Sequence, residues 1–296
     1  MNQNKSFLPG ITLLIFYLIS GCFICAQASV DHGKPLAPFR IAGNLYFVGD
    51  TYVASYLIAT EKGNILINSD YPGDAPMIRN NIERLGFSYN DTKILLISHA
   101  HVDHAGGSAR IKAETGAQYL VMAEDVPVVE SGGKADFYFG NSTDPELFYP
   151  PAKADGILHD GDEVKLGNTV LVAHLTPGHT KGCITWTMTV KEEGKNYNVV
   201  IVGSPFINQG CKLVQNSAYP QISEDYRRTF QVLKSLPCDI FLGAHGVYFD
   251  LEKKYAAMDK SKISPFIDPL GYKKFVAMAE QDFAREFAGQ MVKIQG

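Results

Sequence analysis

Four side chains that can bind a metal ion fall within six consecutive positions, in the segment SHAHVDHAGG at residues 98–107. They are His99, His101, Asp103 and His104. Neutral imidazoles and carboxylates are ligands that zinc prefers. In an extended chain the first three project to one side, and the fourth comes within reach where the chain turns at the two glycines. This spacing predicts a loop that supplies ligands to two neighbouring ions.

The elements that must position this loop alternate between β-rich and helical runs. The apolar residues 94–97, directly before the ligands, indicate a buried strand. Strands that lead the chain and helices that interleave with later strands predict an α/β fold layered around a sheet. The predicted strands are residues 44–48, 53–58, 64–68, 94–97, 118–122 and 240–242, and the predicted helices are residues 75–85, 108–115 and 222–236.

The composition restricts the class of protein. The 27 Lys and Arg residues against 31 Asp and Glu residues give a net charge of −4, and no basic block occurs. The electrostatic footprint of a nucleic-acid-binding protein is therefore missing, and we expect no nucleic-acid partner. A hydrophobic content of 46% in 296 residues excludes a disordered or collagen-like chain. Because no linker or repeat divides the chain after residue 28, we predict one domain over residues 29–296.

The N-terminus predicts a signal peptide over residues 1–28. An apolar run at residues 11–19 follows a short basic start, and small residues come next. The triplet Ala-Gln-Ala at residues 26–28 suits the general signal peptidase, and Ile-Ser-Gly-Cys, which ends at Cys22, resembles a lipoprotein box. The first site, which we favour, predicts a periplasmic protein without a membrane partner. The second predicts a lipoprotein anchored through Cys22.

Three cysteines lie beyond the leader, namely Cys183, Cys211 and Cys238. An odd number allows at most one internal disulfide. One disulfide and three free thiols are therefore the two alternatives.

The pattern H-x-H-x-D-H at residues 99–104 resembles the signature of the metallo-β-lactamase superfold. The segment TPGHT, which contains His179, resembles the third ligand segment of that superfold, and His245 matches the last ligand position. The resemblance implies a four-layer αββα sandwich with the metal site at one edge between the two sheets. It does not fix the substrate, because lactonases, glyoxalase II enzymes, nucleases and β-lactamases share the motif.

The segment between the last two histidines narrows the resemblance. Glyoxalase-like and nuclease members carry a metal-bridging Asp there, and β-lactamases of subclasses B1 and B2 carry a metal-binding Cys. This chain has Gly203, Ser204 and Pro205 instead. The chain is therefore similar to subclass B3. Two further stretches also resemble that subclass, TKGCITW at residues 180–186 and NSAYP at residues 216–220.

The resemblance to subclass B3 implies two zinc ions. It implies one set of ligands formed by His99, His101 and His179, and a second set formed by Asp103, His104 and His245. The implied activity is hydrolysis of the amide bond of penicillins, cephalosporins and carbapenems by a hydroxide that bridges both ions, which would confer antibiotic resistance. Asp103 would also orient the hydroxide as a catalytic residue. Ser204, where relatives often have two serines, would bind the substrate carboxylate.

Two other functions remain open at this stage. A related dizinc hydrolase, similar to a lactonase, would use the same ligands on another carbonyl substrate. A non-catalytic zinc protein is disfavoured, because structural zinc sites are usually closed by four protein ligands and each set here supplies three. In all catalytic versions we expect a small-molecule substrate and a monomeric protein.

A long loop at residues 131–154 carries the aromatic run Phe137-Tyr138-Phe139. Loops of this length in a compact domain are commonly functional. We therefore leave open whether the run closes over an apolar ligand or only packs its own loop. We expect Trp186 in the core.

Overall fold

The fold is described from a computed structural model that covers Met1, residues 33–258 and residues 264–295. Apart from Met1, the predicted leader, with its two cleavage signals and Cys22, lies outside the described residues. One compact unit spans His32–Gly296. Among the residues described, none of the helices is both long enough and apolar enough to cross a bilayer.

The described residues form two sheets, one of seven strands and one of five. In spatial order the first sheet contains β1 (Phe39–Ala42), β2 (Leu45–Phe47), β3 (Tyr56–Thr60), β4 (Gly63–Ile67), β5 (Thr92–Leu96), β6 (Gln118–Met122) and β7 (Gly156–Leu158). The second sheet contains, also in spatial order, β12 (Ile240–Gly243), β11 (Lys195–Val202), β10 (Ile184–Glu192), β9 (Thr169–Leu175) and β8 (Glu163–Leu166). Both sheets mix parallel and antiparallel pairs.

Helices cover the outer faces of both sheets. The helices are α1 (Ala75–Arg84), α2 (Val102–Ala105), α3 (Ser108–Thr115), α4 (Val126–Glu130), α5 (Ile222–Ser235), α6 (Leu251–Ala257) and α7 (Pro269–Gln295). The apolar side chains of α1, α3 and α4 pack on the first sheet. On the other side, α5 and α7 pack together, and α7 contacts β12 of the second sheet. The order helix, sheet, sheet, helix confirms the predicted αββα fold class.

Strand β4 shows why the sheet is buried on both faces. Ile65 and Ile67 belong to the apolar core that includes side chains of the facing sheet, such as Trp186. Leu66, which points the opposite way, belongs to the core under the helices. All of these side chains are fully buried, as expected for a strand covered on both sides. The prediction that Trp186 lies in the core is confirmed.

The predicted strand at residues 53–58 begins later than expected. The Asp50 carboxylate accepts hydrogen bonds from the backbone N–H groups of Tyr52 and Val53, both at 2.7 Å, and this closes a turn. Val53 forms only an isolated bridge, to His245, and β3 begins at Tyr56. The turn thus ties the first sheet to the segment that carries the last predicted ligand.

All three cysteines beyond the leader are free thiols. Cys183 and Cys211 are buried, and Cys238 is half-buried. Within the part of the chain that the structure describes, the alternative without a disulfide therefore holds.

We predict that Trp186→Phe lowers the free energy of unfolding by about 2 to 4 kcal/mol. The indole Nε1 donates to the Ile97 carbonyl at 3.1 Å, just before the ligand loop. Phenylalanine would leave that buried carbonyl without its partner and leave a cavity. Urea unfolding measures the change. Ile157→Val, at a side chain that is 58% exposed, serves as the control and should change little. Equal effects of the two variants would contradict the prediction.

Candidate metal centre

The six predicted ligands follow the ends of three strands. β5 ends at Leu96, β9 at Leu175 and β12 at Gly243, and a ligand-bearing segment follows each of them. The Ile184 N–H donates to the Ser98 carbonyl at 2.7 Å, which joins the ligand loop of the first sheet to the second sheet. The ligand segments of both sheets therefore meet at one edge of the sandwich.

The ligand loop turns earlier than its sequence predicts. His101 is the last extended residue, and α2 begins at Val102, so the carboxylate of Asp103 lies on a helical turn. The two glycines do not make the turn with a positive φ. They allow close packing instead, because a Cβ at Gly107 would lie 2.3 Å from the Ser69 carbonyl oxygen, and one at Gly106 would be equally close to the Val102 oxygen.

His99, His101 and His179 form the first group of side chains. One possible ligand atom of each lies within 4.8 Å of the others. The Nδ1 atom of His101 and the Nε2 atom of His179 are 3.1 Å apart. Among the described residues, the buried Nε2 atom of His99 has no hydrogen-bond partner. A buried nitrogen without a partner is costly, which favours a bound cation at this point.

Asp103, His104 and His245 form the second group. The Asp103 Oδ2 atom is 3.1 Å from His104 Nε2 and 3.5 Å from His245 Nε2. The two imidazole Nε2 atoms are themselves 3.1 Å apart. The rings of His99 and His104 lie 4.3 Å apart between centroids, so the two groups are neighbours. The structure thus brings together all six residues that the sequence analysis selected.

The electrostatics of both groups suit metal ligands. Burial, with the neighbouring His101, lowers the pKa of His179 to about 3, and burial, with His104, lowers the pKa of His245 to about 4. Both imidazoles are therefore neutral at physiological pH and keep a lone pair for a metal. Burial raises the pKa of Asp103, but the adjacent histidines outweigh it and lower that pKa below its ordinary value. The donors are nitrogen and carboxylate oxygen, and this set fits zinc.

Backbone carbonyls orient two of the imidazoles. The Nδ1 atom of His179 lies 2.8 Å from the Phe206 carbonyl oxygen, and the Nδ1 atom of His245 lies 3.3 Å from the Tyr52 carbonyl oxygen. A carbonyl only accepts, so each Nδ1 atom carries the proton and each Nε2 atom carries the lone pair that faces the site. These contacts set the tautomers that metal binding requires.

Asp136, which the sequence analysis missed, connects the long loop to the first group. Its Oδ2 atom lies 3.7 Å from His101 Nε2, and its Oδ1 atom accepts from the N–H groups of Tyr138 and Phe139. Burial opposes a charge on His101, but Asp136 outweighs it, and the pKa of His101 is raised. The sequence signal that could have identified Asp136 is its position directly before the aromatic run at residues 137–139.

The three aromatic residues of the long loop lie in different surroundings. Phe137 packs on Tyr219 at 4.8 Å between ring centroids. Tyr138 donates a hydrogen bond to the Gln209 carbonyl. Phe139 lies 5.0 Å from the ring of His101 and is half-buried. Of the two alternatives, loop packing describes Phe137, whereas Phe139 borders the metal centre.

Ser204 lies beside the second group, on the segment that follows β11. Its side chain is buried, and its Oγ atom is 3.2 Å from the hydroxyl of Tyr248. The ring of Tyr248 in turn lies 5.1 Å from that of His245. Nothing in the sequence marks Tyr248, because a tyrosine three residues after a ligand carries no signal until the chain is folded.

Comparisons with known proteins agree with this geometry. The family profile described as the metallo-beta-lactamase superfamily matches residues 48–245. The metallo-β-lactamase FEZ-1 of Legionella gormanii is 54% identical, with a TM-score of 0.86 over 88% of this chain and 98% of that chain. BJP-1 of Bradyrhizobium japonicum, a subclass B3 metallo-β-lactamase, is 37% identical, with a TM-score of 0.83 over 89% of this chain and 98% of that chain. The class B3 di-zinc metallo-β-lactamase LRA-12 from an Alaskan soil metagenome is 38% identical, with a TM-score of 0.82 over 87% and 97%.

Curated proteins match over shorter stretches. A hydroxyacylglutathione hydrolase of Rhodopseudomonas palustris is 25% identical over 201 residues, which are 68% of this chain and 65% of that protein. The first four curated relatives are matched over only 31% to 65% of their own lengths.

We predict that the metal-free protein loses stability as the pH falls from about 6.5 towards 4. The folded pKa values of His179 and His245 lie below the value of about 6.5 for an unfolded chain. The unfolded chain therefore binds more protons in this window, and each histidine costs about 1.4 kcal/mol per pH unit. Urea unfolding in the presence of a chelator measures this. A flat profile between pH 6.5 and 4.5 would contradict the pKa assignment.

We also predict that Asp136→Asn lowers the pKa of His101 in the metal-free protein. The amide oxygen can still accept from the N–H groups of Tyr138 and Phe139, but the charge that faces the imidazole is lost. NMR titration of the His101 ring measures the shift. Asp155→Asn is the matched control, because Asp155 pairs with Lys112 instead. An unchanged pKa of His101 in Asp136→Asn would refute this role of Asp136.

Proposed function

The chain belongs to the metallo-β-lactamase superfamily and, within it, to subclass B3, and we propose that it hydrolyses the amide bond of β-lactam antibiotics with two zinc ions. The observation that carries this proposal is the pair of neighbouring ligand groups, each with three protein donors. Groups of three leave room for water or substrate, as in catalytic zinc sites. Because one chain supplies every donor, the site is complete in the monomer that we propose.

The residues would divide between two ions. We assign His99, His101 and His179 to the first and Asp103, His104 and His245 to the second. When bound, the ions would supply Lewis acidity and a hydroxide nucleophile at neutral pH. The chain's own contribution is to keep His179 and His245 neutral by burial and to fix the tautomers of these two imidazoles with backbone carbonyls.

Asp103 is the residue to which we assign a catalytic role as well. Its lowered pKa keeps the carboxylate ionised throughout the working pH range. The side chain is 16% exposed, and its Oδ2 atom contacts His104 and His245. An ionised carboxylate in this position can accept a hydrogen bond from the attacking water and hold it in line with the lactam carbonyl.

We assign the substrate carboxylate to Ser204. Either hydroxyl of the Ser204 and Tyr248 pair can donate. Ser204 can therefore turn its proton towards the carboxylate while its oxygen accepts from Tyr248. Phe139, beside His101, offers apolar surface to the rest of the substrate.

Export to the periplasm completes the proposal. We propose that residues 1–28 act as a signal peptide, with lipidation at Cys22 as the alternative. A β-lactamase in the periplasm destroys its substrate before the drug reaches cell-wall synthesis and so confers antibiotic resistance.

The proposal is tested with purified residues 29–296. A penicillin, a cephalosporin and a carbapenem are offered with and without a zinc chelator, and the metal content is measured. We expect hydrolysis that the chelator abolishes and about two zinc ions per chain. Two zinc ions without lactam turnover would refute the proposed substrate. A lactone and a hydroxyacyl thioester of glutathione then test the alternative hydrolases, the second of which follows from the name of the curated relative.

We predict that His101→Ala lowers kcat/KM for β-lactams by at least about 100-fold, because it removes a ligand and not merely a group that orients one. The zinc content should fall as well. His174→Ala is the matched control, since His174 lies on β9, hydrogen-bonded to Thr187 and outside both ligand groups. Activity and zinc content in His101→Ala equal to those of His174→Ala would rule out the site.

A further inference from the structure

Asp125 is a buried carboxylate near the first ligand group that the sequence analysis did not select. It lies between β6 and α4 and is 1% exposed. Its Oδ2 atom accepts from the Ala100 N–H at 3.0 Å and from the Thr180 hydroxyl at 2.8 Å, and its Oδ1 atom accepts from the Gly182 N–H at 2.9 Å. Both oxygens of this buried carboxylate therefore accept hydrogen bonds from the protein.

The donors of this network come from two separate segments of the chain. Ala100 stands between the ligands His99 and His101, and Thr180 directly follows His179. One carboxylate therefore joins the two segments that supply all three side chains of the first group. The second group takes no side chain from residues 179–182.

Gly182 gives an independent sign that the chain is built around this carboxylate. A Cβ atom at Gly182 would lie 2.6 Å from Asp125 Cγ and 2.7 Å from the Asp125 backbone nitrogen. Any side chain at position 182 would displace the carboxylate or the segment that follows His179. The glycine therefore provides space, so that the two segments approach closely through Asp125.

We propose that Asp125 is a positioning residue for the first metal site, where its carboxylate holds His179 in place relative to His99 and His101. Among the described residues, the hydrogen bonds of its carboxylate go to Ala100, Thr180 and Gly182 and not to any of the six assigned ligands. This inference rests on the two-zinc assignment of the proposed function, but not on the identity of the substrate. Ligands from separate segments bind tightly only when their separation is set beforehand, and partners that orient ligands change metal affinity by about 10- to 100-fold.

The experiment compares the two sites within one protein. Asp125→Asn is prepared as residues 29–296, and zinc affinities are measured by competition with a chromophoric chelator. Cobalt(II) absorption spectra, referenced to His179→Ala and His245→Ala, identify which site is filled. In either orientation of the asparagine amide, its NH₂ group faces a backbone N–H, that of Gly182 or that of Ala100, so two donors oppose each other.

We expect Asp125→Asn to weaken the first site by about 10- to 100-fold and to leave the second site within about threefold. Thr180→Val, which removes only the hydroxyl donor, should weaken the same site to a smaller extent, and Thr180→Ser should restore its affinity. Asp155→Asn is the control, because that carboxylate also accepts a backbone N–H, from Tyr119, but lies outside the site.

Equal weakening of both sites, or of neither, would overturn the inference, since a purely structural role would not distinguish them. If Asp125→Asn does not fold, Thr180→Val and Thr180→Ser decide the question by the same affinities. A parent protein that binds two zinc ions without turning over lactams would refute the proposed function and leave this test intact. A parent protein without a three-histidine metal site would overturn both.

Discussion

Five imidazoles and a carboxylate packed against one another at the edge of the sandwich are the constraint on which the rest of the structure depends. Burial lowers the pKa of His99, His179 and His245, so the centre holds neutral nitrogen donors at physiological pH. Such a cluster is unfavourable without a cation, because buried polar atoms need partners. The surrounding fold must therefore hold these imidazoles close together, although each of them disfavours a charge on its neighbours.

The sandwich meets this demand with strand ends and outer hydrogen bonds. Segments leave β5, β9 and β12 at the same edge, and the bond from Ile184 to the Ser98 carbonyl ties the edges of the two sheets together. The Phe206 and Tyr52 carbonyls orient two ligands from outside. Asp136 adds a carboxylate beside His101 and at the same time shapes the loop that carries Phe139. The conformation of that loop and the first ligand group are thus coupled through a single side chain.

The sequence identities to known proteins indicate which hydrolases of the superfamily this chain resembles. FEZ-1 and BJP-1 are 54% and 37% identical to this chain, and the match covers 98% of each of them. The curated hydroxyacylglutathione hydrolase of Rhodopseudomonas palustris is only 25% identical. Ser204 follows Gly203 at the position where glyoxalase-like members carry a metal-bridging Asp. This difference agrees with the higher sequence identity to the β-lactamases. Where relatives often have two serines, this chain has Ser204 alone, and the phenol of Tyr248 lies against it. Under the proposed assignment, the substrate carboxylate would meet this serine and tyrosine pair.

The sequence by itself predicted, from apolar periodicity, an α/β fold layered around a sheet, and its short motifs carried the resemblance that implied the αββα sandwich, the superfamily and six ligand candidates. It could do so because these features are local: apolar periodicity, a four-ligand motif within one loop, and short segments around His179 and His245. Only the tertiary structure decided that the loop turns at Val102, that β3 begins at Tyr56, and that Asp125, Asp136 and Tyr248 lie around the ligand groups. Those outcomes rest on contacts between residues far apart in the chain, such as the 57 positions between Asp125 and Gly182 and the 141 between His104 and His245. No local pattern encodes such contacts, because the packing of two sheets against each other creates them.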